Sequence, residues 1–146
     1  MKQTRPGTAL REVAAGECML ELSRQEGGLW RLGAAGDTFN TALYLCRLGA
    51  RVRYLTALGE DPFSEEMLQS WRREGLDTAL VLRHPARLPG LYAIRTDARG
   101  ERSFHYWRQH SAARQLLRLP GIEAAWQAAT HCDLLYLTGI TPSLFD

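Results

Sequence analysis

Short apolar runs alternate along the chain with stretches whose apolar positions recur every three to four residues, as strands alternating with helices require. Residues 13–22 (VAAGECMLEL) read as one buried strand with a polar insertion, Glu17 and Glu21 among apolar neighbours. Gly27 and Gly28 mark a turn before a short strand at 29–32. Over 38–48, Phe39, Ala42, Leu43 and Cys46 fall at i, i+3, i+4 and i+7, and Leu45 and Leu48 widen the stripe, which predicts a buried helix. Gly49 stands where a C-terminal cap belongs, and a strand follows at 52–58, ended by Gly59. The next helix has Asp61 as N-cap, Pro62 in its first position and Glu65 and Glu66 at the positive end of its dipole. Phe63, Met67 and Trp71 share its predicted inner face, and Arg72, Arg73 and Gly75 close it before a strand at 78–82.

The pattern then changes. Residues 91–96 and 103–108 are strand-like runs around Asp97-Ala98-Arg99-Gly100, a hairpin signal. A helix over 121–130, a strand over 133–137 and a helix beginning at Thr141-Pro142-Ser143 complete the series. Such alternation implies an α/β fold built of right-handed βαβ units, its parallel sheet covered on both faces. The hairpin, about 88–110, projects from those layers, and residues 1–12 form a loose N-terminal arm.

The 146 residues are 45% hydrophobic and 23% charged with a net charge of +2, enough for one domain and giving no case for nucleic acid or a membrane surface. Cys18, Cys46 and Cys132 are widely spaced and odd in number, as for reduced, buried thiols. With no signal-like or spanning segment, the expected location is the cytoplasm. His84, His105, His110 and His131 have no metal-ligand spacing, so no metal site is expected.

Candidate chemistry gathers in two places. Gly36, Asp37 and Asn40 stand at a loop-to-helix junction, where a glycine allows close approach and a carboxylate and an amide can hold hydroxyls. Equally, Asp37 is an N-cap with Asn40 as its Asx-type partner. The segment has neither the dinucleotide fingerprint nor a Walker loop. On the hairpin, Tyr92, His105, Tyr106, Trp107 and Arg108 suit a lid over a ligand, the arginine offering a fork to a carboxylate; cross-strand packing or a subunit interface is the alternative. A four-residue turn at 97–100 sets His105 opposite Tyr92, whereas one extra loop residue sets Tyr106 there and brings Arg108 to the same face. Glu17 and Glu21 read as an acid–base pair or, more simply, as a polar strand end and a solvent-facing residue.

Asn40, Ala42, Gly49 and Gly59 stand at the spacing of the N-terminal signature of the phosphofructokinase-B-type, ribokinase-like sugar kinases. More narrowly, GECMLEL (16–22), GDTFNTALYL (36–45), YLTALGEDPFSEEML (54–68), RLPGLYAI (87–94) and GERSFHYWR (100–108) resemble the N-terminal half of the 2-keto-3-deoxygluconate kinases (2-dehydro-3-deoxygluconokinases). The resemblance runs over about residues 13 to 146. It implies a three-layer α/β/α ribokinase-like core, here incomplete, with a projecting β lid hairpin. It implies transfer of the ATP γ-phosphoryl to the 6-hydroxyl of the sugar acid, with ATP and Mg2+ serving the complete enzyme and a homo-oligomer formed through the lid. Gly36, Asp37 and Asn40 would hold hydroxyls, Tyr92 and Tyr106 would line the lid side, and Arg108 would meet the substrate carboxylate. The catalytic aspartate, its anion hole and the ATP pocket come from the family's C-terminal half; no G-A-G-D segment occurs here, so this chain is expected to hold no catalytic residue, to bind no nucleotide and to be inactive alone. A non-catalytic sugar-acid-binding or interaction module derived from such a kinase is the alternative. Ala35 stands where the family has glycine, and its methyl is expected to narrow the sugar pocket or shift the helix start. Ending after Thr141-Pro142-Ser143 is expected to leave an apolar sheet face exposed.

Overall fold

A computed structural model describes residues 10–145; residues 1–9 of the expected arm lie outside it, while Arg11 and Glu12 belong to the first strand. The strands are β1 (Arg11–Ala15), β2 (Met19–Arg24), β3 (Trp30–Ala35), β4 (Arg51–Gly59), β5 (Val81–His84), β6 (Leu91–Thr96), β7 (Arg102–Trp107) and β8 (Leu134–Tyr136). The helices are α1 (Asp37–Arg47), α2 (Pro62–Arg73), α3 (Ile122–Thr130) and the short α4 (Ile140–Ser143). A 3-10 segment over Ala113–Arg118 had no periodic signal in the sequence.

β5, β4, β1 and β8 form, in that order, a parallel core sheet. Successive residues of β1 and β4 alternate between its faces. Ala14, Val52, Tyr54 and Leu58 meet α1 and α2 on one side, and Val13, Ala15, Leu55 and Ala57 meet α3 and the 3-10 segment on the other. This is the predicted three-layer arrangement. On the first side Phe39, Tyr54 and Trp71 form an aromatic cluster with ring centroids 5.0 to 5.9 Å apart. Tyr54 Oη lies 3.0 Å from the Thr38 hydroxyl and so fixes the start of α1 to the core.

The lid differs from the expected single hairpin. It is a four-stranded sheet of order β3-β2-β6-β7, in which β2 and β3 form a second antiparallel hairpin joined to the first by parallel β2–β6 pairing. Residues 13–22 are therefore not one strand: the run breaks at Gly16-Glu17-Cys18, with β1 in the core and β2 in the lid. The hairpin takes the five-residue loop, 97–101, and pairs Tyr92 with Tyr106. In α1 only Thr38, Phe39 and Ala42 are buried, and Tyr44 and Leu48 face outward, so the helix is peripheral rather than enclosed. The inner face of α2 is Ser64, Met67, Leu68 and Trp71, while Phe63, beside the Asp61 cap, is exposed. β5 begins three residues later than its apolar run predicts.

The β8 side of the core is apolar and open. Leu134, Leu135, Leu137 and Ile140 are exposed, and a groove of about 440 Å³ runs between Leu117, Ile122, Trp126, Leu137 and Phe145. Among the described residues β8 has no second strand neighbour.

Trp71→Ala is expected to destabilise the fold by about 3–5 kcal/mol, because it empties the centre of the aromatic cluster. Phe63→Ala should change stability by no more than about 0.5 kcal/mol. Urea unfolding of the two variants checks the difference; equal losses would contradict the burial assigned to α2.

Candidate active-site cleft

In open α/β sheets ligands settle beyond the carboxyl ends of the strands, where the strand order reverses. Here β4 and β5 extend from one side of β1, and the chain later returns to place β8 on the other. Beyond that β1/β8 junction lies a cleft of about 230 Å³ between core and lid. Gly36, Asp37, Asn40, Tyr92, Tyr106 and Arg108 all line it, so the loop-to-helix junction and the hairpin do meet. Glu17, Met19, Phe104, Thr141 and Leu144 are also in its wall.

The core side is rigid. Gly36 precedes α1 with extended backbone, a conformation open to any residue. Its glycine is required by packing: a Cβ there would lie 2.2 Å from the Glu17 carbonyl oxygen. The close approach expected at this position is thus to the chain itself. Asp37 is the first residue of α1, not its cap, and its carboxylate accepts from the Thr38 N–H at 2.7 Å and from the Thr138 hydroxyl. It complements the positive end of the helix. Asn40 is exposed, one turn along on the cleft side, rather than an Asx-type partner of Asp37. Ala35 pairs with Met19 inside the lid sheet and is absent from the cleft wall, so its methyl does not narrow this space.

The lid side is aromatic. The period-two alternation of β7 sends Phe104 and Tyr106 to the cleft with Tyr92, the Tyr92 and Tyr106 rings stacking at 5.6 Å. His105 and Trp107 point to the opposite lid face, beside Trp30. The Tyr92 hydroxyl donates to the Glu21 carboxylate, and burial with that neighbouring charge pushes its pKa up. Phe104 was legible as the i−2 partner of Tyr106.

Arg108 follows β7 and sits three-quarters buried at the cleft. Its Nη2 lies 2.5 Å from Glu17 Oε2, an ion contact without hydrogen-bond alignment, and its Nε–H is buried with no acceptor among the described residues. Glu17 Oε1 accepts from the Ser111 hydroxyl at 2.5 Å. Glu17 is 4% exposed. It is thus neither a solvent-facing strand end nor half of an acid–base pair with Glu21, which is bound to Tyr92. Burial raises the Glu17 carboxyl above its ordinary value, against the opposing effects of Ser111, Arg108 and Arg114.

No group of three His, Cys, Asp or Glu side chains that could hold a metal exists among the described residues, and none of their helices is long and apolar enough to cross a membrane. Among the described residues Arg108 is the one cation in the cleft wall, and it lies against Glu17.

Residues 3–146 match the pfkB family carbohydrate kinase model, so the chain belongs to that family. It is 47% identical over 135 residues to a 2-dehydro-3-deoxygluconokinase of Dickeya dadantii and 45% identical to that of Escherichia coli K12, in each case over 90% of this chain and 43% of the relative. The chain therefore spans less than half the length of these relatives. Among solved structures, the Thermotoga maritima 2-dehydro-3-deoxygluconokinase superposes with a TM-score of 0.79 at 23% identity, covering 94% of this chain and 43% of that one. A PfkB family kinase of Listeria grayi gives 0.65 at 27% identity over 72% and 35%.

Gly36→Ala should lower stability by about 1–3 kcal/mol in chemical denaturation, since its methyl meets backbone that cannot turn aside. Glu17→Gln tests the buried charge. A carboxyl whose folded pKa is raised adds stability that is present below its unfolded pKa and lost as pH rises through the folded one. Wild type should therefore gain on the glutamine variant as pH falls from 7 to 4 in parallel thermal melts; a gap that moves the other way would contradict the raised value.

Proposed function

We propose that this chain carries the acceptor-binding half and lid of a sugar-acid kinase that phosphorylates the 6-hydroxyl of 2-keto-3-deoxygluconate. The observation behind this reading is the meeting, in one cleft, of a carboxylate and an amide on the core with aromatics and an arginine on the lid. Asp37 and Asn40 present an acceptor and a donor–acceptor pair to the sugar hydroxyls. Tyr92 and Tyr106 cover the apolar face of the sugar. Arg108, in the cleft wall, offers a charged donor to the substrate carboxylate, and Gly36 sets the start of the helix that carries Asp37. The names of the relatives favour the same substrate class.

In this reading ATP with Mg2+ supplies the phosphoryl group, bound by the part of the family fold that the chain does not span. The residues described here bind and orient the acceptor and shield it from water; positioning is the larger share of phosphoryl-transfer catalysis. In this reading Asp37 binds hydroxyls through the lone pairs that Thr38 and Thr138 leave open, and the base lies in the part of the family fold that the chain does not span. The chain alone gives no turnover. The outer lid face, with Trp30 and Trp107 exposed, is where a second copy of the complete protein would sit, and the cytoplasm its place of action.

The test joins this chain to the C-terminal half of the Dickeya dadantii relative and measures ATP-dependent phosphorylation of 2-keto-3-deoxygluconate. Turnover is expected, with kcat/KM reduced about 10–100-fold by Arg108→Gln, the range set by a hydrogen bond to a charged group. A folded joined protein without turnover sinks the kinase reading. Sugar-acid binding without turnover would favour a binding module.

A further inference from the structure

The chain passes between core and lid at four places: 16–18, Gly36, 85–90 and 108–112. Glu17 reaches all of them. It belongs to the first, and its carbonyl oxygen lies against Gly36 of the second. In the third, a Cβ on Gly90 would stand 2.9 Å from Glu17 Oε1. In the fourth, Ser111 and Arg108 contact its two carboxylate oxygens. The backbone is knitted at the same point: Leu20 N–H donates to Gly90 O at 2.8 Å, and Ala112 N–H to Leu88 O at 2.9 Å.

We propose that Glu17 is a positioning residue, which pins the four core–lid passages together and holds the Arg108 guanidinium at the cleft. Two physical arguments support it. A buried carboxylate is expensive unless its partners are specific, and the two groups in contact with this one, Ser111 and Arg108, belong to a passage rather than to the core or the lid interior. An arginine on a long side chain reads a carboxylate well only when its guanidinium is held beforehand, and Glu17 holds it through Nη2. The pinning stands on geometry alone, whereas what Arg108 is held for rests on the sugar-acid reading above.

Two readouts separate these parts. The first needs no ligand: amide hydrogen exchange in the 146-residue chain and in Glu17→Ala and Glu17→Gln. The Leu20 and Ala112 amides should exchange at least tenfold faster in the alanine variant, with the core amide of Tyr54, bonded to Asp77 O, unchanged. If the alanine variant does not fold, the same comparison is made on the glutamine variant, where a threefold or larger acceleration is expected. The second is calorimetry of wild type and Glu17→Gln with 2-keto-3-deoxygluconate and with its neutral counterpart 3-deoxyfructose. The variant should bind the acid at least tenfold more weakly and the neutral ketose as wild type does. Unchanged exchange at Leu20 and Ala112 overturns the pinning, and equal losses for acid and neutral sugar overturn the positioning of Arg108. A wild-type chain that binds neither sugar counts against the sugar-acid reading, while the exchange result still decides the pivot.

Discussion

Four passages between two sheets converge on one residue, Glu17, and the geometry of the cleft depends on that convergence. The core sheet fixes Gly36 and the start of α1; the lid fixes Tyr92, Tyr106 and the approach to Arg108. Leu20 and Ala34 of the lid pack on the apolar core, and at the cleft short polar contacts around Glu17, a residue whose charge the fold disfavours, add to that join. A charge kept at a stability cost, where a glutamine would fit, is what a positional role looks like physically.

The two sides of the cleft are built for different tasks. The core side is anchored in the aromatic cluster through the Thr38–Tyr54 hydrogen bond, which fixes the start of the helix that carries Asp37 and Asn40. The lid side is a twisted four-stranded sheet whose outer residues are exposed.

The core was legible because its signals are local. Asp61 accepts from Ser64 N as a cap should, Pro62 opens α2, and Gly49 takes the left-handed backbone that ends α1. The errors were tertiary. The polar insertion in VAAGECMLEL does not by itself mark a strand end, and only pairing with β4 and then with β3 and β6 divides the run. For the same reason the second lid hairpin was read as minor strands. Phe63 was assigned inward by spacing, although a residue at the start of α2 overhangs the end of the sheet. The six candidate site residues line one cleft. Glu17 was visible as an anomaly in an apolar run, but its partners lie 91 and 94 positions away, beyond any local pattern.

The central claim is that core and lid recognise one sugar acid jointly. Titration of the isotopically labelled chain with 2-keto-3-deoxygluconate, followed by nuclear magnetic resonance, tests it most directly. Saturable shifts with a single dissociation constant are predicted at the Asn40 side-chain amide on the core and at the Arg108 Nε–H on the lid. Shifts confined to one side, or an Arg108 Nε–H unmoved while Asn40 saturates, would contradict it.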